Sequence, residues 1–481
     1  MEDVMEGTEP DYLCTPEQAL HDVAHAETPV LVDFDETLCL RNSTEEFIDQ
    51  AMFGLLAAVL LRVLEITKPW RWTGGEPTRD VWRIRVILYT MPWQWSRWRR
   101  FVQRRGPEML NQPLSDALRQ SRGRVVVASI GFEPIIRPLL EAMGWGDAEL
   151  IACSLSGFDD RASGKLALVQ SRLGAEVVAQ SLVVTDSRSD APLLAAAAQG
   201  QLVDWPDALY MPALRRVYLP FDYTTKVKRP GAKYLRRSIL LDDFMYWLLA
   251  TIALTNAPVL HVIGLGCLLV SFWAIYETGY VDNDRCGELY ESTPKLSRQY
   301  ATHMVATPRW QPWLWSLSLG VAGIALLRPN GELVRITAVW VLALLALHAL
   351  FRIYNRVDYS TRVWLLYVLQ LARASACLLV VPANLPGAMA LIVQAICRWI
   401  PYYIHRNFGL KWAQPRMLVG RVVLYAGAVA LLFIVDPFGP VWGWTTLAVL
   451  AFGIFKARHE FAEVVREASF LNDPKAGTTK G

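Results

Sequence analysis

At 481 residues the chain is too long for one ordinary core, so at least two domains are expected. Hydrophobic residues make up 53% and charged residues 19%, below the roughly 25% of soluble domains, which excludes a wholly soluble protein. A net charge of +3, with no Lys/Arg block able to track a groove, argues against a nucleic-acid partner.

The opening MEDVMEGTEPDYL is acidic and polar, the opposite of a signal peptide, and predicts a cytoplasmic start. Seven cysteines are scattered without a CxxC pair or a His–Cys cluster, as buried thiols in a reducing compartment would be. Residues 1–215 read as an α/β domain. The short β-branched runs PVLVDF, RVVVASI and SLVVTD have the length and closing residues of buried parallel strands. Helical segments such as EPIIRPLLEAMG and GKLALVQSRLG separate them, which predicts a doubly wound sheet with its ligand at the carboxyl ends of the strands.

Four polar elements fall at those strand ends or open the following helix. Asp33-Phe34-Asp35-Glu36-Thr37 closes the first strand, Ser129 closes RVVVAS, Lys165 opens KLALVQSRLG, and Asp186 and Asp190 follow SLVVT. In this order they resemble the motifs of the haloacid dehalogenase-type phosphatases. The resemblance implies that Asp33 attacks phosphorus, that Asp35 serves as acid and then base, and that Ser129 and Lys165 hold phosphoryl oxygens. It also implies a Mg²⁺ site drawn from Asp33, Asp35, Asp186 and Asp190, which would offset phosphoryl charge. Glu36 stands where the family often has glycine.

By the same resemblance residues 38–125 form a helical cap. It interleaves Trp70, Trp72, Trp82, Trp93, Trp95 and Trp98 with arginines. That mixture suits a helix at the headgroup level of a bilayer, and it equally suits a cap packing tryptophans on its own core.

A basic linker over 216–239 leads to a second half, 240–458, followed by a tail over 459–481. Apolar windows recur at 244–257, 258–276, 312–327, 336–351, 363–381, 383–400, 423–435 and 441–455. Most approach the ~20 residues that cross a bilayer, which predicts an all-α polytopic membrane domain of eight or nine helices. Alternate loops carry Lys226, Lys228, Arg229, Arg285, Lys295, Arg298, Arg352, Arg356, Arg362, Arg406 and Lys411. The loops between them (NAP, PNGEL, VPAN, DPFGP) have only Arg328 and Arg335 beside them. The bias predicts a multi-pass protein of the cell (inner) membrane with both termini in the cytoplasm.

Two polar loops on the basic side, YETGYVDNDRCGELYESTPKLS and FRIYNRVDYSTR, follow the second and fourth windows. The arrangement resembles UbiA-type membrane prenyltransferases fused to a haloacid dehalogenase domain, which bind a polyprenyl phosphate or diphosphate through Mg²⁺ on two Asp-rich motifs. In the best register Glu277 and Asp284 are metal ligands and Tyr280 replaces the middle acid, with Asp282, Arg285 and Glu288 beside them. Glu277, Asp284 and Glu288 share one face of a continuing helix. Arg352, Tyr354, Asn355, Arg356 and Asp358 form the second motif, richer in arginine than the family pattern and suited to gripping phosphate. His405 and Arg406 close a later helix on the same side, at a pocket mouth or in an interfacial belt.

Three functions follow. One is a bifunctional enzyme that pairs prenyl transfer, to a phosphoribosyl donor for example, with dephosphorylation. The second is a lipid-phosphate phosphatase on a non-catalytic lipid-binding scaffold, and the third a transporter or structural membrane protein with a regulatory phosphatase domain.

Overall fold

A computed structural model describes residues 12–292, 294, 296–303, 307–328, 332–409, 416–435, 439 and 443–471. The chain divides into two compact units, Met1–Val217 and Tyr218–Gly481.

The first unit is built on six parallel strands: β1 (Leu13–Cys14), β2 (Val30–Val32), β3 (Val125–Phe132), β4 (Glu149–Cys153), β5 (Leu182–Thr185) and β6 (Gln199–Val203). Their order in the sheet is β1-β6-β5-β2-β3-β4. The apolar run of β2 is buried throughout, as a central parallel strand must be. It pairs Val30, Leu31 and Val32 with Val125, Val126 and Val127 on one side and with Leu182, Val183 and Val184 on the other. The connections leaving β2 and β5 therefore diverge, and the crevice at their carboxyl ends is where a ligand fits. Strand β3 runs three residues beyond Ser129, and its register against β4 shifts between Ala128 and Phe132. Such irregularities re-aim side chains near a site.

Helix α1 (Pro16–Ala24) starts where the Thr15 hydroxyl accepts the Gln18 N–H and Pro16 presets the first turn. Between β2 and β3 lie α2 (Ser43–Asp49), α3 (Gly54–Thr67), α4 (Arg79–Thr90), α5 (Gln94–Arg105) and α6 (Gln112–Gln120). Trp70 and Trp98 are buried in this helical insertion, whereas Trp72 and Trp93 are exposed. Helices α7 (Glu133–Ala142), α8 (Asp159–Ser163), α9 (Lys165–Leu173), α10 (Ala175–Ala179) and α11 (Ala191–Ala196) complete the unit.

Every described element of the second unit is helical. Two π-helical segments, Tyr223–Lys228 and Leu235–Phe244, come first, the second running directly into α12 (Met245–Thr251), and α13 (Pro258–Tyr290) and α14 (Arg298–His303) follow. Next come α15 (Trp310–Leu327), α16 (Leu333–Tyr354), α17 (Tyr359–Ser375), α18 (Leu385–Phe408), α19 (Met417–Val435) and α20 (Trp444–Leu471). Five segments among the described residues are long and apolar enough to cross a membrane: α13, α16, Tyr359–Leu379, α18 and α19. Eight or nine were expected. The windows at 244–257, 312–327 and 441–455 fall in α12, α15 and α20, outside those five. Helix α12 is the seven-residue α-helical part of a continuous run from Leu235 to Leu254, and α20 carries charge from Lys456 onward. Glycines let α13 and α15 meet closely, since a Cβ on Gly264 would lie 2.6 Å from Leu327 Cγ.

Candidate active site

Asp33 leaves β2 directly into the sheet crevice, its N–H donating to Val184 O at 2.9 Å. Its carboxylate is fully engaged. Oδ1 accepts the Phe34 N–H at 2.7 Å and meets Lys165 Nζ at 2.8 Å, and Oδ2 lies 3.0 Å from Thr185 Oγ1. Lys165, the first residue of α9, also reaches Asp190 Oδ2 at 2.6 Å. Thr185 Oγ1 lies 2.7 Å from that same oxygen. Asp190, expected among the metal ligands, is therefore occupied with orienting Lys165.

Asp35 faces a different set of groups. Ser43 N–H, at the start of α2, donates to Oδ1 at 2.5 Å, and Ser129 Oγ lies 3.5 Å from Oδ2. Ser129 Oγ is itself fixed by the Gly131 N–H at 2.8 Å. A Cβ on Gly131 would come within 3.0 Å of Asp35 Oδ2, so glycine keeps that space clear. Just after Asp35 the loop turns through Glu36, which has φ 60°. That left-handed conformation explains a preference for glycine at this position. Here Asn42 Nδ2 donates to Glu36 Oε1 at 3.3 Å and steadies the turn.

Two residues outside the expected site complete it. Thr37 Oγ1 donates to Asp186 Oδ1 at 2.8 Å and accepts the Asp186 N–H at 3.1 Å, tying the first loop to the end of β5. Thr185 links Asp33 to Asp190. Both lie inside the quoted motifs, but only the folded geometry shows that their hydroxyls point at the acids.

Burial pushes the Asp33 carboxyl up to about 6, against the opposing pull of the Lys165 ammonium, with the Asp190 and Asp186 charges pushing the same way as burial. Asp35 also rises to about 6 through burial, offset in part by the Ser43 N–H. Asp186 rises to about 6 through burial, with the Thr37 hydrogen bond opposing and Glu36 adding to it. Lys165 is held above its ordinary value, because Asp33 and Asp190 outweigh its desolvation.

This donor set suits a hard cation. Four carboxylates are balanced by one ammonium, and every donor is oxygen. Among the described residues no three His, Cys, Asp or Glu side chains gather as metal ligands. Mg²⁺ does not need three, since it is commonly held by one or two carboxylates with waters and substrate phosphate. Asp33 and Asp186, at the ends of adjacent strands, are the two side chains that fit.

Residues 30–195 match the family model of haloacid dehalogenase-like hydrolases. The first unit therefore contains a haloacid dehalogenase-like hydrolase domain, and an apolar helical region with five candidate membrane spans follows it. No curated protein and no solved structure matches the chain.

In the helical unit the expected metal ligands are already occupied. Glu277 is fully buried and accepts from Tyr218 OH (2.7 Å), Phe221 N–H (3.0 Å) and Thr224 N–H (2.5 Å). Asp284 accepts from Tyr223 OH at 2.8 Å and pairs with Lys228. The segment ahead of α12 folds onto α13 and supplies hydrogen-bond donors to both carboxylates. Asp358 is expected among the substrate-binding residues. It caps α17, accepting the Ser360 and Thr361 N–H groups at 2.9 and 3.0 Å, and its position is exposed.

Other expected residues do come together. Arg356 Nη1 and Asn355 Nδ2 each reach Asp282 Oδ2 at 3.0 Å. Tyr280 packs edge-on to Tyr276, with centroids 5.3 Å apart, in an aromatic group that includes Tyr354. Glu288 accepts from Tyr300 OH at 2.7 Å. Arg406 lies over the Tyr359 ring at 4.4 Å, while the nearby His405 leaves Nδ1 without a protein partner. Arg285 and Arg352 are exposed. Lys295 and Lys411 lie outside the described residues.

Proposed function

We propose that the chain is a membrane-bound phosphomonoester hydrolase in which Asp33 is the nucleophile. The supporting observation is that two buried acids, two residues apart, are prepared for different tasks. Asp33 pairs with Lys165 at 2.8 Å, which favours its anion, whereas Asp35 has no ion pair of its own among the described residues, and both carboxyls sit near 6, where one can be ionised while the other is protonated. Asp33 Oδ attacks phosphorus as the ester P–O bond breaks, and Asp35 delivers its proton to the leaving alkoxide. Asp35, now ionised, takes a proton from the water that attacks the aspartyl-phosphate. Inorganic phosphate leaves and Asp33 is regenerated. Lys165 and Ser129 hold phosphoryl oxygens throughout. Asp33 and Asp186 would hold Mg²⁺, which supplies further neutralisation of phosphoryl charge.

Membrane-spanning helices on the same chain favour a phosphorylated lipid as substrate, with the protein multi-pass in the cell inner membrane and both termini cytoplasmic. We read the helical unit as a lipid-binding scaffold, in which Glu277 and Asp284 hold the segment ahead of α12 against α13. The test uses the full-length protein stripped with EDTA and assayed on p-nitrophenyl phosphate. Mg²⁺ should restore hydrolysis, and a phosphate adduct should be trapped on the peptide carrying Asp33. Hydrolysis that survives in Asp33→Asn would sink the proposal.

A further inference from the structure

The segment 226–237, KVKRPGAKYLRR, carries six cations and no acid. Their surroundings differ. Lys226 is paired with Asp222 at 2.7 Å, and Lys228 with Asp284. Arg229, Lys233 and Arg236 have no recorded side-chain partner among the described residues, and all three line one cavity of about 350 Å³ with Tyr234, Leu235 and Leu240. The chain turns back on itself at Gly231 (φ 72°) and Lys233 (φ 49°), so residues on both sides of the turn border one space.

The cavity wall is joined to a second excess of positive charge. Tyr234 OH accepts from Arg373 Nη1 at 3.0 Å. Arg373 belongs to a buried cluster in which only two carboxylates face four cations. Asp243 meets Arg373 at 2.9 Å and Arg398 at 2.5 Å, and Asp242 meets Arg421 at 3.0 Å and Lys456 at 2.7 Å. Both the lining and the ground behind it thus favour an anion. Leu235 and Leu240 add apolar surface to the same cavity, which a free anion does not need and a lipid does.

We propose that this cavity binds the phosphate headgroup of an anionic lipid, with Arg229, Lys233 and Arg236 as its ligands and Leu235 and Leu240 against the start of the chain. The site stands apart from the hydrolase reading, since none of these residues belongs to the Asp33 site.

The test titrates full-length protein in a neutral detergent with phosphatidic acid, phosphatidylcholine and inorganic phosphate, counting bound lipid by native mass spectrometry. Arg229→Gln/Lys233→Gln/Arg236→Gln should weaken phosphatidic acid binding on the order of a hundredfold, given the usual weight of three cations near anionic lipid. Arg236→Gln alone should weaken it about fivefold, which keeps the test sound if the triple variant folds poorly. The control Lys226→Gln/Arg237→Gln alters cations that do not line the cavity and should change binding by less than about threefold. Hydrolysis of p-nitrophenyl phosphate should match the wild type in every variant, so failure here is distinct from failure at Asp33. Equal losses in the triple variant and the control would show diffuse attraction and overturn the site. Unchanged binding in the triple variant would do the same. Displacement of lipid by equimolar inorganic phosphate would overturn the lipid assignment.

Discussion

In the first unit four carboxylates, Asp33, Asp35, Asp186 and Asp190, converge on a single cation, Lys165. In the helical unit two carboxylates, Asp242 and Asp243, are surrounded by Arg373, Arg398, Arg421 and Lys456. Both clusters remove charge from water, but the balance is reversed. Burial raises the carboxyls of Asp33, Asp35 and Asp186, and neighbouring acids add to it without enough cations to cancel it, which holds them near a protonation change where proton transfer is easy. A saturated cluster has little chemistry left in its carboxylates and instead ties helices together, here the π-helical Leu235–Phe244 segment to α17, α18, α19 and α20. Burial alone therefore does not mark a reacting acid. What separates the two clusters is the count of opposite charges within reach.

Substitutions should separate them sharply. Asp33→Asn should lower kcat by about 10⁴-fold or more, since it removes the nucleophile itself, measured by phosphate release with saturating Mg²⁺. Asp35→Asn should cost about 10²–10⁴-fold, the usual weight of a general acid and base. The pH profile sharpens this. Asp33 must be ionised, so activity falls as pH drops through about 6, and Asp35 must be protonated, so activity also falls as pH rises through about 6. The profile should be a bell centred near 6, and Asp35→Asn should lose its alkaline limb. A flat profile from pH 5 to 8 would remove Asp35 as the acid.

Asp243→Asn should do the opposite of Asp33→Asn. It leaves Arg373 and Arg398 without their carboxylate and should destabilise the helical unit by about 3–5 kcal/mol, measured by thermal or denaturant unfolding in detergent. Hydrolysis of a soluble phosphate ester should stay within about twofold of wild type. A collapse of hydrolysis in Asp243→Asn with normal unfolding would erase the distinction between the clusters.

Local patterns and distant pairings were unequally legible in the sequence. The strand runs PVLVDF and SLVVTD could be read because β-branched residues closed by polar ones describe a buried strand over a few positions. Asp33, Ser129, Lys165 and Asp186 could be read for the same reason, each marking a strand end or the start of a helix. The partners of Glu277 could not. Tyr218, Phe221 and Thr224 lie more than fifty residues upstream, and no periodicity predicts that their donors meet one carboxylate. Asp242 and Asp243 drew no attention at the edge of an apolar window, because their cations come from residues 373–456. The helix count rests on composition in the same way, with five described segments of span length and apolarity against the eight or nine expected.

The smallest expected effect concerns the stability of the first unit. The Asp186 carboxyl is raised from its ordinary 3.8 to about 6 in the folded state, so its ionised form is disfavoured by folding. Its contribution to stability is fully present below about pH 4 and is lost as pH rises through about 6. Asn resembles the protonated acid and carries no such penalty. Asp186→Asn should thus raise the unfolding temperature of the first unit at pH 7.5 by about 2–4 °C, roughly 1 kcal/mol for a unit of this size, and change it little at about pH 3.5, below the ordinary carboxyl value. Mg²⁺ added at pH 7.5 should stabilise the wild type and largely fail to stabilise Asp186→Asn, since neutralising this carboxylate is what the ion would do. If Asp186→Asn lowers the unfolding temperature equally at both pH values, its hydrogen bond to Thr37 outweighs its charge. The anionic excess would then be smaller than four carboxylates against one ammonium implies.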